Sequence, residues 1–350
     1  MITYRLANQT DNAQLLRLTS SAGMPGKMAL RIDRDPNFFN LNKLRGPTHV
    51  YVAVDKEDIV GCICVSDQQV FVNRKEKAFY YISDFKVAHS HRNQGIGLQL
   101  TNEVVKYLDS KEADLAFLNV SHGNKRPFVF FSNRGTYPDF QNIGTFTTFQ
   151  YLGSKRGPSK SIALKKADKA TPEILDFLNG FYSNYNLATV ITEEKLANSD
   201  IYILKRNNSL EAVLVLIDTM KMKQNVVLKM PLHLKLAVGL INFFGGLFKL
   251  SKLPEENDPI SMLYIQYLGL KSFDKQLISN LISFAKQCAY KKSYSFVSIT
   301  AHENDPMLKA LPKFIRFKFC SVGMLVSMKQ SQDLMKRIME EKVYRDYSIV

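Results

Sequence analysis

Alternating apolar and polar positions over residues 2–6 predict an opening strand. Thr10 or Asp11 is placed to cap a following helix in which Ala13, Leu15 and Leu16 share one face. A loop-rich stretch covers residues 22–47. Residues 50–54, 59–70 and 77–87 then read as strands, divided by the turn-forming 55–58 and the charged 73–76, which makes a meander. Residues 95–108 carry Leu98, Leu100, Val104, Val105 and Leu108 at helical spacing, and 116–120 form a short apolar strand beyond them.

The stretch 153–160, GSKRGPSK, has the composition of an exposed linker. Past it the same order returns: a strand at 161–165, a helix capped by Thr171 with Pro172 in its first position, and strands at 201–205 and 212–217. Ile82, Phe85 and Val87 have counterparts in Ile265, Leu268 and Leu270. Phe117, Val120 and Pro127 have theirs in Phe296, Ile299 and Pro306, each set at a constant offset with a helix between. This predicts an internal duplication, with one copy over 1–152 and a second over 161–328. The second copy carries an insertion at 220–260, between its third and fourth strands. Residues 329–350 read as a C-terminal helix and a tail expected to be unstructured.

Composition narrows the class. With 350 residues, 45% of them hydrophobic, the chain can bury two cores and is not globally disordered. Its net charge of +15 divides almost evenly between the halves. That spread signals attraction to an anionic cofactor, substrate or membrane surface rather than a confined nucleic-acid patch, so no specific nucleic-acid partner is expected. Cys62, Cys64, Cys288 and Cys320 lack zinc-site spacing and suit core thiols in a reducing cytoplasm. No secretory pattern is visible at residues 1–6, so a cytoplasmic protein is expected. His89 and His91 flank Ser90 without a third ligand, and no metal is expected.

Candidate chemistry concentrates where the two copies differ. His91-Arg92-Asn93-Gln94-Gly95-Ile96-Gly97 stands between a strand ending at Val87 and a helix, whereas the second copy has Lys271-Ser272-Phe273-Asp274-Lys275-Gln276 and no glycine. An R-x-x-G-x-G turn brings backbone N–H groups to a helix N-terminus, where the aligned peptide dipoles favour a pyrophosphate. Gly95 and Gly97 let the main chain approach phosphate oxygens, and Arg92 adds a charge-assisted contact. No Gly-Lys-Ser/Thr follows, so this is not a Walker loop, and it follows the fourth strand rather than the first, unlike a dinucleotide fold.

That order, with Tyr81-Ile-Ser-Asp-Phe-Lys-Val87 before the turn, resembles the GNAT acetyltransferase superfamily, whose R/Q-x-x-G-x-G/A loop holds the pyrophosphate of acetyl-CoA. The run Asn124-Lys-Arg-Pro127-Phe-Val-Phe130-Phe131-Ser-Asn-Arg-Gly135 is similar to the N-x-x-A-x-x-L-Y-x-x-x-G segment after the fifth strand of that superfamily. The resemblance covers residues 1 to about 152 and extends weakly, through the duplication, to about 328. It implies an α/β fold of two tandem acetyltransferase-like modules, each a mixed, mostly antiparallel central sheet flanked by helices, the second degenerate. It also implies an acetyl-CoA-dependent N-acetyltransferase whose amine acceptor attacks directly in a ternary complex. By position, the backbone of Phe85, Lys86 and Val87 would pair with the pantetheine arm. Arg92, Asn93, Gln94, Gly95, Ile96 and Gly97 would hold pyrophosphate, Asn124 would lie near the arm, and strand splaying at Val87 would admit the thioester.

An alkylammonium must lose a proton before it attacks, so the site needs a base or a water chain. Asp84 is the first candidate and Tyr81 the alternative. Phe131 stands at the usual tyrosine acid. A phenyl ring cannot donate a proton, which leaves Tyr137, another tyrosine or solvent, or else a non-catalytic CoA-binding module. By the same resemblance, Arg31 to Phe39 lies beside the acceptor, whose class the residues leave open.

Residues 220–254 carry Lys221, Lys223, Lys229, Lys235, Lys249 and Lys252 and no acid. Within them Leu232, Leu236, Leu240, Phe243, Phe244 and Leu247 cover much of one helix, with Lys235, Asn242 and Lys249 on a narrow stripe. Packing against the protein's own domains is the first expectation. The alternative is peripheral contact of 230–253 with an anionic membrane, which would suit an aminoacyl or fatty acyl transferase. A transmembrane span is not expected from so short an uncharged run.

Overall fold

A computed structural model describes residues 1–21, 23–24, 28–121, 139–158, 162–328 and 332–350. The first half opens with β1 (Ile2–Leu6) and α1 (Asn12–Ser20). The loop-rich stretch holds β2 (Gly23–Met24), β3 (Ala29–Asp33) and α2 (Asn40–Arg45). The meander is β4 (Thr48–Asp55), β5 (Asp58–Val72) and β6 (Lys75–Val87), followed by α3 (Ile96–Ser110), β7 (Leu115–Ser121) and β8 (Asp139–Leu152). The second half runs β9 (Lys165–Ala167), α4 (Pro172–Tyr182), β10 (Ser199–Arg206), β11 (Ser209–Asp218), β12 (Gln224–Lys229) and α5 (Leu232–Phe248). It continues with β13 (Met262–Leu270), α6 (Lys275–Lys291), β14 (Phe296–His302), β15 (Arg316–Ser327) and α7 (Gln332–Glu340).

Among the described residues, twelve strands form one sheet in the order β1-β4-β5-β6-β7-β15-β8-β14-β13-β11-β10-β9. Each half contributes an antiparallel meander that ends in one parallel pair, β6 with β7 and β13 with β14. The repeat in the sequence is therefore a repeat in topology. The two halves also exchange a strand: β15, from the second, lies between β7 and β8 of the first, and β8 in turn pairs with β14.

Helical periodicity places the layers. Ile96, Leu100, Val104 and Leu108 of α3 pack on β4, β5 and β6, as close as Gly61, where a Cβ would stand 3.0 Å from Leu100 Cδ1. Ile278, Leu281, Ile282, Ala285 and Ala289 of α6 do the same in the second half. Thr171 caps α4 with Pro172 in its first turn, as the residues predict.

Two expectations are corrected here. The segment read as an exposed linker begins buried, because Gly153 donates to Ser295 O and accepts from Ser251 N, with a Cβ there only 2.2 Å from Ser251 Oγ. Exposure is confined to residues from Lys155 onward. The tail is ordered and largely buried. Tyr347 hydrogen-bonds Ser321 at 2.5 Å and Asn119 at 2.9 Å, Arg345 donates to Gln68, and Asp346 accepts from Gln266. These partners belong to both halves, so residues 343–350 fill the seam between them and acquire the burial that their composition alone did not promise.

A smaller sheet, β12-β3-β2, ties the insertion to the first half, with Gln224 opposite Asp33 and Lys229 opposite Ala29.

Candidate active site

Two features of β6 make room beside it. Its parallel register with β7 runs from Tyr80↔Ala116 to Ile82↔Leu118, although β6 continues to Val87 and β7 to Ser121. The strands therefore part after Ile82, five residues earlier than Val87. On its other edge the register with β5 shifts between Cys62 and Cys64, so Asp84 and Phe85 share the place of one residue. Asp84 adopts φ +51°, the bulge's left-handed residue.

From Val87 the chain turns through a short 3-10 segment, His89–His91, into Arg92, Asn93, Gln94 and Gly95. Asn93 and Gly95 both have positive φ, and Gly95 is the N-cap of α3 at φ +78°. A Cβ on Gly95 would meet nothing within 4 Å, so the glycine answers to backbone conformation and leaves open space above the helix end. Gly95 offers no side chain to cap α3, and among the described residues no acidic residue stands in its first turn. The first-turn N–H groups, among them those of Ile96 and Gly97, face the exposed side of the loop with the dipole's positive end, which is suited to a phosphate. Arg92 is exposed beside them, its Nε 3.4 Å from Val87 O.

The second half lacks this property at the equivalent turn. Its equivalent helix, α6, opens on Asp274, whose carboxylate accepts from Gln276 N at 2.7 Å and Leu277 N at 3.3 Å. A built-in anion occupies the place a phosphate would take.

The bulge residue Asp84 anchors a buried charge cluster. Its Oδ2 lies 2.5 Å from both Arg34 Nη2 and Arg45 Nη1, and Oδ1 is 3.7 Å from Lys86 Nζ. Burial would raise the carboxyl's pKa, but Arg34, Arg45 and Lys86 together hold it far below the usual carboxylate range. So firmly ionised a group is a poor proton acceptor, which counts against Asp84 as the base. Its place in the cluster is to hold two arginines. Arg34 is 1% exposed, and among the described residues its Nε and Nη1 have no hydrogen-bond partner. Tyr81 is buried under the guanidinium groups of Arg45 and Arg345, 5.4 and 5.2 Å from its ring centroid, and burial pushes its hydroxyl pKa up. Asn124, Phe131 and Tyr137 lie outside the described residues.

A member of this cluster that the sequence reading passed over is Lys223. It is only 6% exposed, and its Nζ donates to Val350 O at 2.5 Å. Burial first, and then the charges of Arg45 and Arg34, bring its pKa down from 10.5 to about 7. In sequence it is one of six lysines in a basic stretch, and nothing in its spacing separates it from the exposed five. Arg45 was equally invisible; its Nε donates to Ile349 O and its Nη1 to Ser83. Of the segment Arg31 to Phe39, Phe38 is buried in the core with α1, and Arg34 stacks on its ring. Neither His89 nor His91 belongs to a metal-binding group among the described residues; His91 faces Asp55.

Residues 16–131 match the family described as the acetyltransferase (GNAT) family. No curated protein matches the chain by sequence. Among solved structures, the chain resembles Saccharomyces cerevisiae N-myristoyltransferase with bound myristoyl-CoA at 12% identity and a TM-score of 0.62, covering 93% of this chain and 82% of that one. A GCN5-related N-acetyltransferase from Anabaena variabilis is similar at 10% identity and a TM-score of 0.54, over 94% and 73%. A protein from Enterococcus faecalis described as a probable N-acyltransferase is similar at 8% identity and 0.54, over 95% and 74%. At such identities the structural likeness is one of fold.

Proposed function

Because the chain carries a GNAT acetyltransferase domain within a tandem GNAT fold, we propose that it is an acyl-CoA-dependent N-acyltransferase whose first half binds the donor, with acetyl-CoA the donor of first choice. The uncapped α3 N-terminus carries this reading, since it stands at the end of the strand that parts from its neighbour. Pyrophosphate would rest on residues 92–97, and the pantetheine arm would run along Phe85 to Val87. The thioester would lie in the opening between β6 and β7.

The chemistry takes two protons from the acceptor's ammonium nitrogen and exchanges one bond. The acceptor's neutral amine nitrogen attacks the thioester carbonyl carbon, the C–N bond forms, and the C–S bond breaks as CoA leaves as thiolate and takes up the second proton, which the acylated nitrogen sheds. Lys223, poised near pH 7, would accept the ammonium's proton in its neutral form. The unpartnered N–H groups of Arg34 suit the carbonyl oxygen as it gains charge, or a carboxylate on the acceptor.

A longer acyl donor is the second reading. It is favoured by the likeness in fold, over 93% of this chain, to an N-myristoyltransferase with bound myristoyl-CoA. Isothermal titration with acetyl-CoA and with a long-chain acyl-CoA, followed by thiol release against a panel of amines, tests both. Amine-dependent release with one donor identifies it. Binding without release from any amine would support a CoA-binding module instead, and no binding to either donor would refute the assignment of the loop.

A further inference from the structure

We propose that α5 docks the protein on an anionic lipid surface, lying flat with its apolar arc among the acyl chains. The helix has three faces. Leu234, Val238, Ile241 and Gly245 point inward; Val238 is buried in the cluster beneath, Leu234 and Ile241 pack against it, and Gly245 lies against Leu250. Lys235 and Asn242 form a polar edge, held by Glu256 and by the backbone of Leu253. The remaining arc, from Leu232 through Leu236, Leu240 and Phe243 to Leu247, is apolar and faces solvent. Phe243 is 81% exposed, Leu247 77% and Leu232 72%. Isolated exposed leucines are ordinary, but a continuous stripe of this size marks a surface that something covers.

Charge identifies the occupant. Lys229 stands at one end of the helix and Lys249 and Lys252 at the other, all exposed. Lys155 lies beside Lys249, its N–H donating to the Lys249 carbonyl at 2.9 Å, and Arg156 follows it. The nearby acids are on the polar edge, where Glu256 pairs with Lys235 and accepts from Met230 N, and Glu255 faces Asn242. A second copy pressed onto this arc about a two-fold axis would set these lysines against themselves. Anionic headgroups satisfy the basic ends while acyl chains take the stripe. Seventeen residues span about 25 Å against a hydrocarbon core of about 30 Å. No helix among the described residues is long and apolar enough to cross a membrane, so α5 lies on the bilayer.

The docked helix would bring the charge cluster close to lipid. Leu30, Val227 and Met230 beneath α5 mark one end of the β3–β12 pair, and the other end leads into Arg34 and Lys223. That separation is about 15 Å, one short strand.

Sedimentation of the whole chain with vesicles tests this without reference to catalysis. The protein should pellet with phosphatidylcholine vesicles containing about a third phosphatidylglycerol, much less with phosphatidylcholine alone, and less as salt rises. Combined Leu240→Ser, Phe243→Ser and Leu247→Ser should weaken binding more than tenfold with unchanged thermal melting, since these side chains support no core. Combined Lys229→Glu, Lys249→Glu and Lys252→Glu should lose about fivefold per lysine removed. No binding to the anionic vesicles, or binding indifferent to both variants, would overturn the proposal. A wild-type dimer that the serine variant converts to monomer, with no vesicle binding, would overturn it in favour of a second copy.

Discussion

Arg45, at the end of α2, donates its Nε–H to the carbonyl oxygen of Ile349 at 2.7 Å, while its Nη1 holds Asp84. One guanidinium thus joins the bulged strand of the first half to the buried tail. The tail's other contacts extend the seam, and the Tyr347 hydroxyl bridges β7 and β15 through Asn119 and Ser321. Tyr347→Phe leaves the buried Ser321 short of a partner and should cost about 1–3 kcal/mol. A urea midpoint lowered at constant m-value would register it.

Asp84→Asn keeps a residue that tolerates the left-handed backbone but removes the charge that two buried arginines share. The loss should be about 3–5 kcal/mol, because breaking a buried ion pair strands its partners. With its folded pKa depressed, the carboxylate's contribution is complete above the unfolded value of about 4 and fades as pH falls below it. Denaturant melts at pH 7 and pH 3 should therefore show a larger wild-type advantage at pH 7.

Lys223 makes stability rise with pH as well, but in a higher window and as the relief of a cost. Its folded pKa of about 7 lies below the unfolded value, so the unfolded chain binds the proton more tightly between pH 7 and about 10. This group is most costly to the fold below pH 7, and raising the pH relieves the cost. Lys223→Met should flatten the rise in thermal stability over that range.

The same group sets the expected rate profile. kcat/KM should climb through pH 7 in the wild type, and Lys223→Met should lose about a hundredfold or more of turnover while acyl-CoA affinity changes less than threefold. Single-turnover rates with titration of donor affinity would separate the two effects.

The contrast between α3 and α6 can be tested as a pair. Gly95→Asp should weaken acyl-CoA binding at least tenfold by placing a carboxylate where phosphate is expected. Asp274→Ala should leave donor affinity unchanged and cost about 1 kcal/mol as a lost N-cap. Calorimetric titration of both variants alongside thermal melts distinguishes a binding loop from a structural one.

Periodicity and glycine placement make the meander, the repeat and the α3 turn legible in the sequence, because each rests on local patterns. The charge cluster was not legible. Arg34, Arg45, Asp84 and Lys223 come from four separate segments, and Arg34 and Asp84 alone are 50 positions apart. Asp84 read as a base because a lone carboxylate on a central strand suggests one; the arginines that hold it ionised appear only when β3 and α2 fold over the bulge. The tail is illegible in sequence for a similar reason, since Tyr344 to Val350 has no local periodicity and its order comes from partners such as Gln68 and Gln266. For α5 the residue pattern was clear and the outcome differed, because the protein's own core meets only one of its three faces.

The strand exchange at the centre of the sheet bears on how the chain is made. β7 cannot gain its second neighbour until β15 is available, so the sheet of the first half stays incomplete until residue 327 has been made. A chain stopped after residue 152 would present β7 and β8 as open ladders, and a nascent chain presents them throughout synthesis of the second half. The two halves therefore complete one sheet together, despite the repeat that makes them look separable.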